Sequence, residues 1–473
     1  MNARAFPAGG ATWLNDIHSG LNRTPVRRLA APESMEALHS LLRETRDAGG
    51  FIASSGCRHA MGGQQFLAGE TVLDLRGLNR ILDFDEDRGR LRAEAGIQWP
   101  ELIAGYRART SPDAQPWGIA QKQTGADTFT LGGSLSANGH GRGLTLAPFI
   151  QDVAEFSLLR ADGSLVRCSR TENSELFGLA IGGYGLFGII TDVTLQLVLR
   201  RRLERVVEIR DAETLPAAFE QRIREGFLYG DFQFSIDETS EGFLRTGVFS
   251  CYRPTDRPLP ARPARELEEA NWLQLLYLAY TDRARAYEQY ADYYLSTSGQ
   301  VYESDTHQLG PYLPDYAARI QQMGATHSPS SLLISELYVP RDLLPAFLQD
   351  AAVFLRETGM TVIYGTVRLI EKDAESFLPW AREKYACVIF NLQVDHSPVG
   401  MDRARQAFTG LIDRALARGG NYFLTYHRFA SAAQLQNGYP RFGQFLARKK
   451  HHDPGELFQS DWYRHYRREW NAE

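Results

Sequence analysis

The sequence of 473 residues has few cysteines, no long apolar run and little net charge. Its four cysteines are scattered and form no C-x-x-C pair, so neither a disulfide framework nor a cysteine-based zinc site is predicted. No stretch of about 18 apolar residues occurs, so we expect no membrane-spanning helix. A formal net charge of -5 argues against a protein that binds nucleic acid through its phosphates.

Two further absences bear on the location and class of the protein. The segment 1–7 (MNARAFP) lacks the apolar core of a signal peptide, and dispersed reduced thiols suit the cytoplasm, so we expect a cytoplasmic protein. No spacing of His, Cys and carboxylate residues suggests a metal site. The chain is too long for one hydrophobic core, which predicts two or three domains or subdomains.

The most informative segment is SSGCRHAMGGQ at residues 54–64, between apolar runs at 51–53 and 72–75. Glycines let the main chain approach a ligand closely and adopt turns that a Cβ atom would prevent. His59 brings a nucleophilic nitrogen to the same loop. The pattern therefore indicates a ligand-binding loop.

Two more glycine-rich segments follow, TLGGSLSANGHGRG at residues 130–143 and GGYGLFG at residues 182–188. The first is rich in glycine and small residues, which leave main-chain N–H groups uncovered. Consecutive free N–H groups suit a pyrophosphate. No G-x-G-x-x-G opens a helix after an N-terminal strand, so a nicotinamide-binding fold is not predicted.

These three segments, in this order, resemble the flavin-binding domain of the vanillyl-alcohol oxidase / p-cresol methylhydroxylase family. The resemblance implies an α+β fold, in which a two-subdomain FAD-binding domain carries an inserted α+β cap, and FAD as the cofactor. Carried over to this sequence, the cofactor-binding residues are Ser55, Gly56, Cys57, Arg58, His59, Ala60, Gly62, Gly63, Gln64, Thr124, Gly132, Gly133, Ser136, Asn138, Gly139, His140, Gly141, Gly143, Gly183, Gly188 and Ile190.

The resemblance also implies a discontinuous FAD-binding domain. Arg200–Arg202 marks a boundary after which the glycine-rich segments stop. The DPGELF segment at 453–458 resembles the family's closing D-P-x-x-x-F segment, in which the chain returns to the flavin domain. We therefore expect the FAD-binding domain at 1–204, the cap at 205–435, and a returning segment at 436–473.

The family's loop places a histidine at the 8α-methyl group of FAD, which would make His59 a covalent attachment point. Arg58 stands where relatives usually have glycine and Ala60 where they have serine, so tight non-covalent binding stays open. Cys57 is interpreted as a small packed residue. Gly139 stands where relatives differ in the residue that guards the flavin's oxygen-reactive carbon, and a glycine leaves that path open. His140 is open to either a structural or a catalytic role.

Weaker resemblances in the cap point to the aldonolactone and alditol oxidase branch. ELYVPR at 336–341 and GTVRLIEKD at 365–373 resemble two of its strands, and YHR at 426–428 stands where it has H-W-x-K. The resemblance makes Arg368 the residue that polarises the substrate and adds Glu336 to the catalytic set; His427 is the predicted general base. The branch's glutamate falls at Thr366, which places a polyol substrate in doubt.

The resulting hypothesis is an FAD-dependent oxidoreductase that oxidises a hydroxyl-bearing carbon of a small molecule (an alcohol, polyol, sugar or lactone). Hydride would pass to flavin N5, and O2 or another acceptor would reoxidise the flavin, in a monomer or homodimer. Two alternatives stay open. Residues 173–177 and 182–191 also resemble cytokinin dehydrogenase, which acts on an amine, and a flavin fold can serve as a non-catalytic binding module.

Overall fold

The computed structural model of the protein describes residues 10–111, 115–260, 266–310 and 312–471. The segment 1–7, used above for the signal-peptide expectation, lies outside these ranges. Within them, no helix combines the length and the apolar character needed to cross a membrane.

The described chain contains both helices and several separate sheets. The strands are β1 (Thr12–Leu14), β2 (Thr24–Val26), β3 (Arg28–Ala30), β4 (Ile52–Ser55), β5 (Thr71–Asp74), β6 (Ile81–Asp85), β7 (Arg90–Glu94), β8 (Trp117–Gly118), β9 (Val153–Leu159), β10 (Leu165–Ser169), β11 (Ile189–Gln196), β12 (Val198–Leu199), β13 (Arg202–Asp211), β14 (Tyr229–Phe234), β15 (Thr246–Pro254), β16 (Val301–Glu303), β17 (Ser330–Pro340), β18 (Val362–Ile370), β19 (Tyr385–Asp395) and β20 (Asn421–Tyr422). The α-helices are α1 (Met35–Asp47), α2 (Trp99–Arg109), α3 (Leu131–Ala137), α4 (Ser174–Ala180), α5 (Leu215–Arg224), α6 (Glu269–Thr281), α7 (Arg283–Ser296), α8 (Tyr316–Gln322), α9 (Leu344–Thr358), α10 (Pro398–Leu416), α11 (Ala432–Gly438), α12 (Phe442–His452) and α13 (Asp461–Asn471). Short 3-10 turns lie at Leu75–Gly77, Phe149–Asp152, Ala212–Thr214, Thr306–Gln308 and Arg341–Leu343.

The N-terminal part is a small α/β unit, in which β3, β5 and β4 form a parallel sheet in that order. Helix α1 connects β3 to β4, as the apolar spacing at 32–48 predicts, and it buries Leu38 and Leu42. The helix begins at Met35, where the Ser34 side chain accepts the N–H of Ala37 and caps the first turn.

The C-terminal segment runs beside β4. The N–H of Ile52 donates to the Leu457 carbonyl at 2.8 Å, and the N–H of Gln459 donates to the Ile52 carbonyl at 2.9 Å. The carboxylate of Asp453 accepts the N–H groups of Leu457 and Phe458 at 3.0 and 2.9 Å. The D-P-x-x-x-F pattern therefore combines a carboxylate that fixes a turn with a buried aromatic ring.

A five-stranded antiparallel sheet follows, with the strand order β10-β9-β11-β7-β6. Its edge is the hairpin β6–β7, whose charged turn lies at residues 85–89. Helix α3, formed by the second glycine-rich segment, packs against β11. The third glycine-rich segment leads directly into β11.

The largest sheet has eight strands in the order β16-β13-β15-β14-β18-β19-β17-β20, drawn from residues 202–422. Helices α9 and α10 pack against it at β17. Because successive residues of a strand point to opposite faces, Ile334, Glu336 and Tyr338 share the face turned towards the glycine-rich segments. The α+β class is confirmed, whereas the boundaries at 204 and 435 stay predictions.

Candidate active site

One cavity of about 400 Å³ lies between the glycine-rich segments and the eight-stranded sheet. It is lined by most of the residues that the sequence singled out: Ser55, Gly56, Cys57, Arg58, His59, Ala60, Gln64, Gly132, Gly133, Ser136, Gly139, His140, Gly188, Ile190, Glu336 and Arg368. Segments far apart in the chain thus supply a single site.

The other predicted residues do not line the cavity: Gly62, Gly63, Thr124, Asn138, Gly141, Gly143, Gly183 and His427. Several of them are structural. The N–H of Gly62 donates to the Thr425 carbonyl at 3.1 Å, and a Cβ at Gly62 would lie 2.7 Å from the Tyr426 carbonyl oxygen. Asn138 ends α3 with a φ of 49° and donates to Asp373 at 2.9 Å, which ties the second segment to the chain beyond β18.

The free main-chain donors belong to the first glycine-rich segment. Within the described residues, the N–H groups of residues 56–60 have no hydrogen-bond acceptor. Arg58 has a φ of 62°, in the left-handed region that favours glycine. This conformation explains why relatives usually have glycine at this position. Successive N–H groups around such a turn bind anions, and the guanidinium adds a positive charge. This arrangement fits the pyrophosphate of FAD.

The expectation of free N–H groups in the second segment is wrong for its first turn. The N–H of Leu131 donates to the Ile97 carbonyl, and that of Gly132 to the Ala95 carbonyl at 2.7 Å. Gly133 donates to the Thr130 hydroxyl. Glycine serves close packing here, because a Cβ at Gly132 would lie 2.7 Å from the Cβ of Ala95.

His59 is held by two side chains. Its Nδ1 lies 2.7 Å from Nε2 of His18, and its Nε2 lies 2.8 Å from the Thr128 hydroxyl. Burial, together with the neighbouring His18, holds the pKa of His59 well below its ordinary 6.5, so the ring is neutral at pH 7 and keeps a nucleophilic lone pair. Burial raises the pKa of the nearby Cys57 to about 11, so that thiol stays protonated.

A buried hydrogen-bond cluster joins the second glycine-rich segment to β17. His140 Nε2 lies 2.8 Å from Oε1 of Glu336, and its Nδ1 faces the Gly141 carbonyl at 2.9 Å. Both oxygen partners can accept a hydrogen bond, so each ring nitrogen is placed to donate, and the pair is an ion pair when both nitrogens carry a proton. Tyr338 donates to Oε1 at 2.6 Å and Tyr426 to Oε2 at 2.7 Å.

The charges of this cluster support one another. Burial alone would raise the pKa of Glu336, but the positive charge and hydrogen bond of His140, with the two tyrosine hydroxyls, lower it from 4.5 to about 2. The Cys387 thiol lies 3.4 Å from Oε1 of the same carboxylate.

His140, Glu336 and Cys387 also form a set of ligand types close enough to consider for a metal ion, with their atoms within 4.8 Å of one another. Sequence spacing could not indicate this set, because the three residues lie on different segments. The His140–Glu336 separation of 2.8 Å is shorter than the roughly 3.3 Å between ligand atoms around tetrahedral zinc. The geometry is that of a hydrogen-bonded cluster.

Arg368 and Thr366 lie on β18, on the face that lines the cavity. Arg368 is 8% exposed, and within the described residues its Nε has no hydrogen-bond partner. The Thr366 hydroxyl is buried and equally without a partner there. Buried polar groups normally have partners, so this corner of the cavity is suited to a ligand oxygen.

His427, the predicted general base, is not brought to the cavity. Its ring packs against Phe429 with centroids 4.3 Å apart, and burial together with Arg428 lowers its pKa to about 4. Its neighbour Tyr426 lines the cavity instead.

The space beside Gly139 is filled, contrary to the expectation of an open path. An ideal Cβ at Gly139 would lie 2.1 Å from Nε2 of Gln123. Gln123 lines the cavity, and its Oε1 has no partner within the described residues. Sequence reasoning missed Gln123, His18 and Tyr426, which lie outside the glycine-rich segments.

Comparison with known proteins agrees with this geometry. Residues 26–169 match the FAD binding domain family model. An uncharacterized oxidoreductase of the fasciation locus of Rhodococcoides fascians is 27% identical over 53% of this chain and 55% of its own length. The mitochondrial L-galactono-1,4-lactone dehydrogenase of Brassica oleracea is 26% identical over 40% of this chain and 31% of its own length. Cytokinin dehydrogenase 7 of Oryza sativa subsp. japonica is 29% identical over 42% of this chain and 39% of its own length.

The chain thus spans between about a third and about half of the length of these relatives. The matched domain contains the first two glycine-rich segments, and the cavity joins them to the third. Residues 26–169 of the protein therefore form an FAD-binding domain, and FAD is its cofactor.

Proposed function

We propose that the protein is an FAD-dependent oxidoreductase that oxidises a hydroxyl-bearing carbon of a small molecule. The observation that carries the proposal is the position of Arg368, a buried guanidinium that faces the same cavity as the flavin-binding loops. The name of the L-galactono-1,4-lactone dehydrogenase relative supports the same class of reaction.

Bound FAD would supply, at N5, the acceptor for a hydride. The Arg368 guanidinium would donate to the substrate oxygen and stabilise negative charge that develops on it. The Tyr426 hydroxyl donates its hydrogen bond to Glu336. Its oxygen therefore keeps a lone pair that can accept a hydrogen bond from the substrate hydroxyl. Together the two side chains would orient the reacting C–H bond. We assign this second contact to Tyr426 rather than to His427.

An amine substrate is the second candidate, favoured by the cytokinin dehydrogenase relative. The charges at the site favour an alcohol. Arg368 would face a protonated amine with a like charge, and the carboxylate of Glu336 already accepts from His140, Tyr338 and Tyr426.

Anaerobic mixing of the FAD-loaded protein with panels of alcohols, lactones and amines tests the proposal. We expect the flavin absorbance near 450 nm, a general property of oxidised flavin, to bleach with an alcohol or lactone and to stay unchanged with amines. Bleaching by amines alone would favour the second candidate, and no bleaching by any panel would favour a non-catalytic module.

We propose O2 as the electron acceptor, so air readmitted to the bleached enzyme should restore the colour and yield H2O2. Gly139→Val would displace Gln123 into the cavity and slow this reoxidation, whereas Gln123→Ala should not. Slow reoxidation in the wild type would contradict O2 as the acceptor, and reoxidation equally fast in Gly139→Val would show that a displaced Gln123 does not obstruct oxygen.

We propose a covalent link between His59 and FAD, supported by the neutral ring that lines the cavity. After acid precipitation, the yellow colour should stay with the protein pellet, and the chain mass should exceed that of the apoprotein by one FAD. His59→Ala should release the flavin to the supernatant with the fold intact. Flavin that leaves the wild-type pellet entirely would show non-covalent binding.

We further propose a cytoplasmic location, because Cys57, Cys168, Cys251 and Cys387 are all free thiols. A monomer or homodimer stays the predicted assembly.

A further inference from the structure

The cap wall of the cavity is mostly apolar. It includes Leu313, Leu332, Ile334 and Ile389, with the rings of Tyr312 and Tyr316 beside them. The Tyr316 hydroxyl donates to the His18 carbonyl at 2.6 Å, and that of Tyr312 donates to the Ile17 carbonyl. Since both hydroxyls are used by the main chain, these tyrosines offer the cavity little beyond their rings.

Several polar groups of this wall lie on neighbouring rows of the sheet. Strand register places Ile389 between Thr366 and Glu336, and Arg368 beside Cys387. Tyr426 reaches the same area through its hydrogen bond to Glu336. Arg368 Nε and the Thr366 hydroxyl, which have no partner within the described residues, form the part of this wall suited to a substrate oxygen.

A second polar contact lies one row away. Asn391 pairs with Ile334 on one side and Tyr364 on the other. It is separated from the Ile389 row by two residues of β19, which is roughly 7 Å along a strand. A ligand could therefore place one more polar group at this distance.

Glu336 has little capacity left for substrate hydroxyls. Its Oε1 accepts from His140 and Tyr338 and lies 3.4 Å from the Cys387 thiol, while Oε2 accepts from Tyr426. A carboxylate offers about four acceptor positions, so these donors nearly fill it.

We infer that the substrate is an alcohol with a bulky apolar body and at most one further polar group, rather than a polyol or sugar lactone. This inference rests on the proposed function. A polyol would bury hydroxyl groups against Leu332, Ile334 and Ile389 without partners, and each unpaired hydroxyl weakens binding on the order of tenfold.

The test compares benzyl alcohol and cyclohexylmethanol with xylitol and sorbitol on the FAD-loaded protein. One readout is the anaerobic shift of the flavin spectrum on titration, which gives Kd, and the other is kcat/KM for flavin reduction. We expect the apolar pair to be favoured by about 10²-fold or more in both. Equal or tighter binding of the polyols, or no spectral shift with either apolar alcohol, would overturn the inference.

Ile334→Gln adds a hydrogen-bonding group to the apolar wall, and Ile334→Leu is the matched control. We expect the glutamine variant to reduce the preference for apolar alcohols by about tenfold and the leucine variant to keep it. If Ile334→Gln retains FAD and its preference for apolar alcohols is unchanged, the apolar wall does not select the substrate. Flavin reduction by polyols alone would contradict the inference about the substrate but leave the oxidoreductase proposal intact. A spectral shift with the apolar alcohols, without flavin reduction by any alcohol, would contradict only the oxidoreductase proposal.

Discussion

Arg368→Ala should lower kcat and kcat/KM for flavin reduction together, by about 10²-fold or more, with FAD still bound. The reason is that Arg368 would donate to an oxygen whose negative charge develops during hydride transfer. An interaction made mainly in the transition state affects both constants, whereas simple substrate binding would raise KM alone. Rapid mixing with a reducing alcohol under anaerobic conditions measures the effect.

Arg368→Lys is the matched control, because it keeps the charge but loses the fork of donors, and its loss of rate should be smaller. Thermal unfolding adds a second readout. Within the described residues, Arg368 Nε has no hydrogen-bond partner. Removing the guanidinium therefore breaks no hydrogen bond of this atom and should not lower the free energy of unfolding. An unchanged kcat in Arg368→Ala would show that this residue does not stabilise the reacting oxygen.

Glu336→Leu should lower the free energy of unfolding by about 3–5 kcal/mol, because it leaves the buried imidazolium of His140 without its counter-ion. The double variant Glu336→Leu/His140→Leu should recover much of that loss, since it removes both charges. Denaturant unfolding followed by circular dichroism measures both. A single variant as stable as the wild type would contradict the ion pair.

The same pair predicts a dependence of stability on pH. Because the pKa of Glu336 is lowered from 4.5 to about 2, its contribution is fully present above pH 4.5. That contribution is lost as the pH falls from 4.5 towards 2, where the folded protein takes up the proton. Glu336→Gln should show a smaller loss over this range, and an identical pH profile would contradict the lowered pKa.

The parts of the site that could be predicted from sequence are those that carry local patterns. The glycine-rich pattern around residues 56–60 predicts a ligand-binding loop. The positive φ of Arg58 shows a left-handed turn there. The period of two in a strand places Thr366 and Arg368 on one face, so a motif on β18 delivers both to the cavity.

The parts that could not be predicted depend on contacts between distant segments. His18 reaches His59 across 41 residues, and Glu336 meets His140 across 196 residues, without any shared motif. His427 and Tyr426 are adjacent in sequence, and only the packing of their segment decides which of them lines the cavity. Glycine at 139 suggests open space, but the chain fills it with Gln123.

The most direct test of the central claim is the absorption spectrum and FAD content of the freshly purified protein. The free N–H groups of residues 56–60 and the glycine-lined cavity predict a yellow protein with roughly one FAD per chain. Protein without flavin absorption that also fails to take up added FAD would contradict the account.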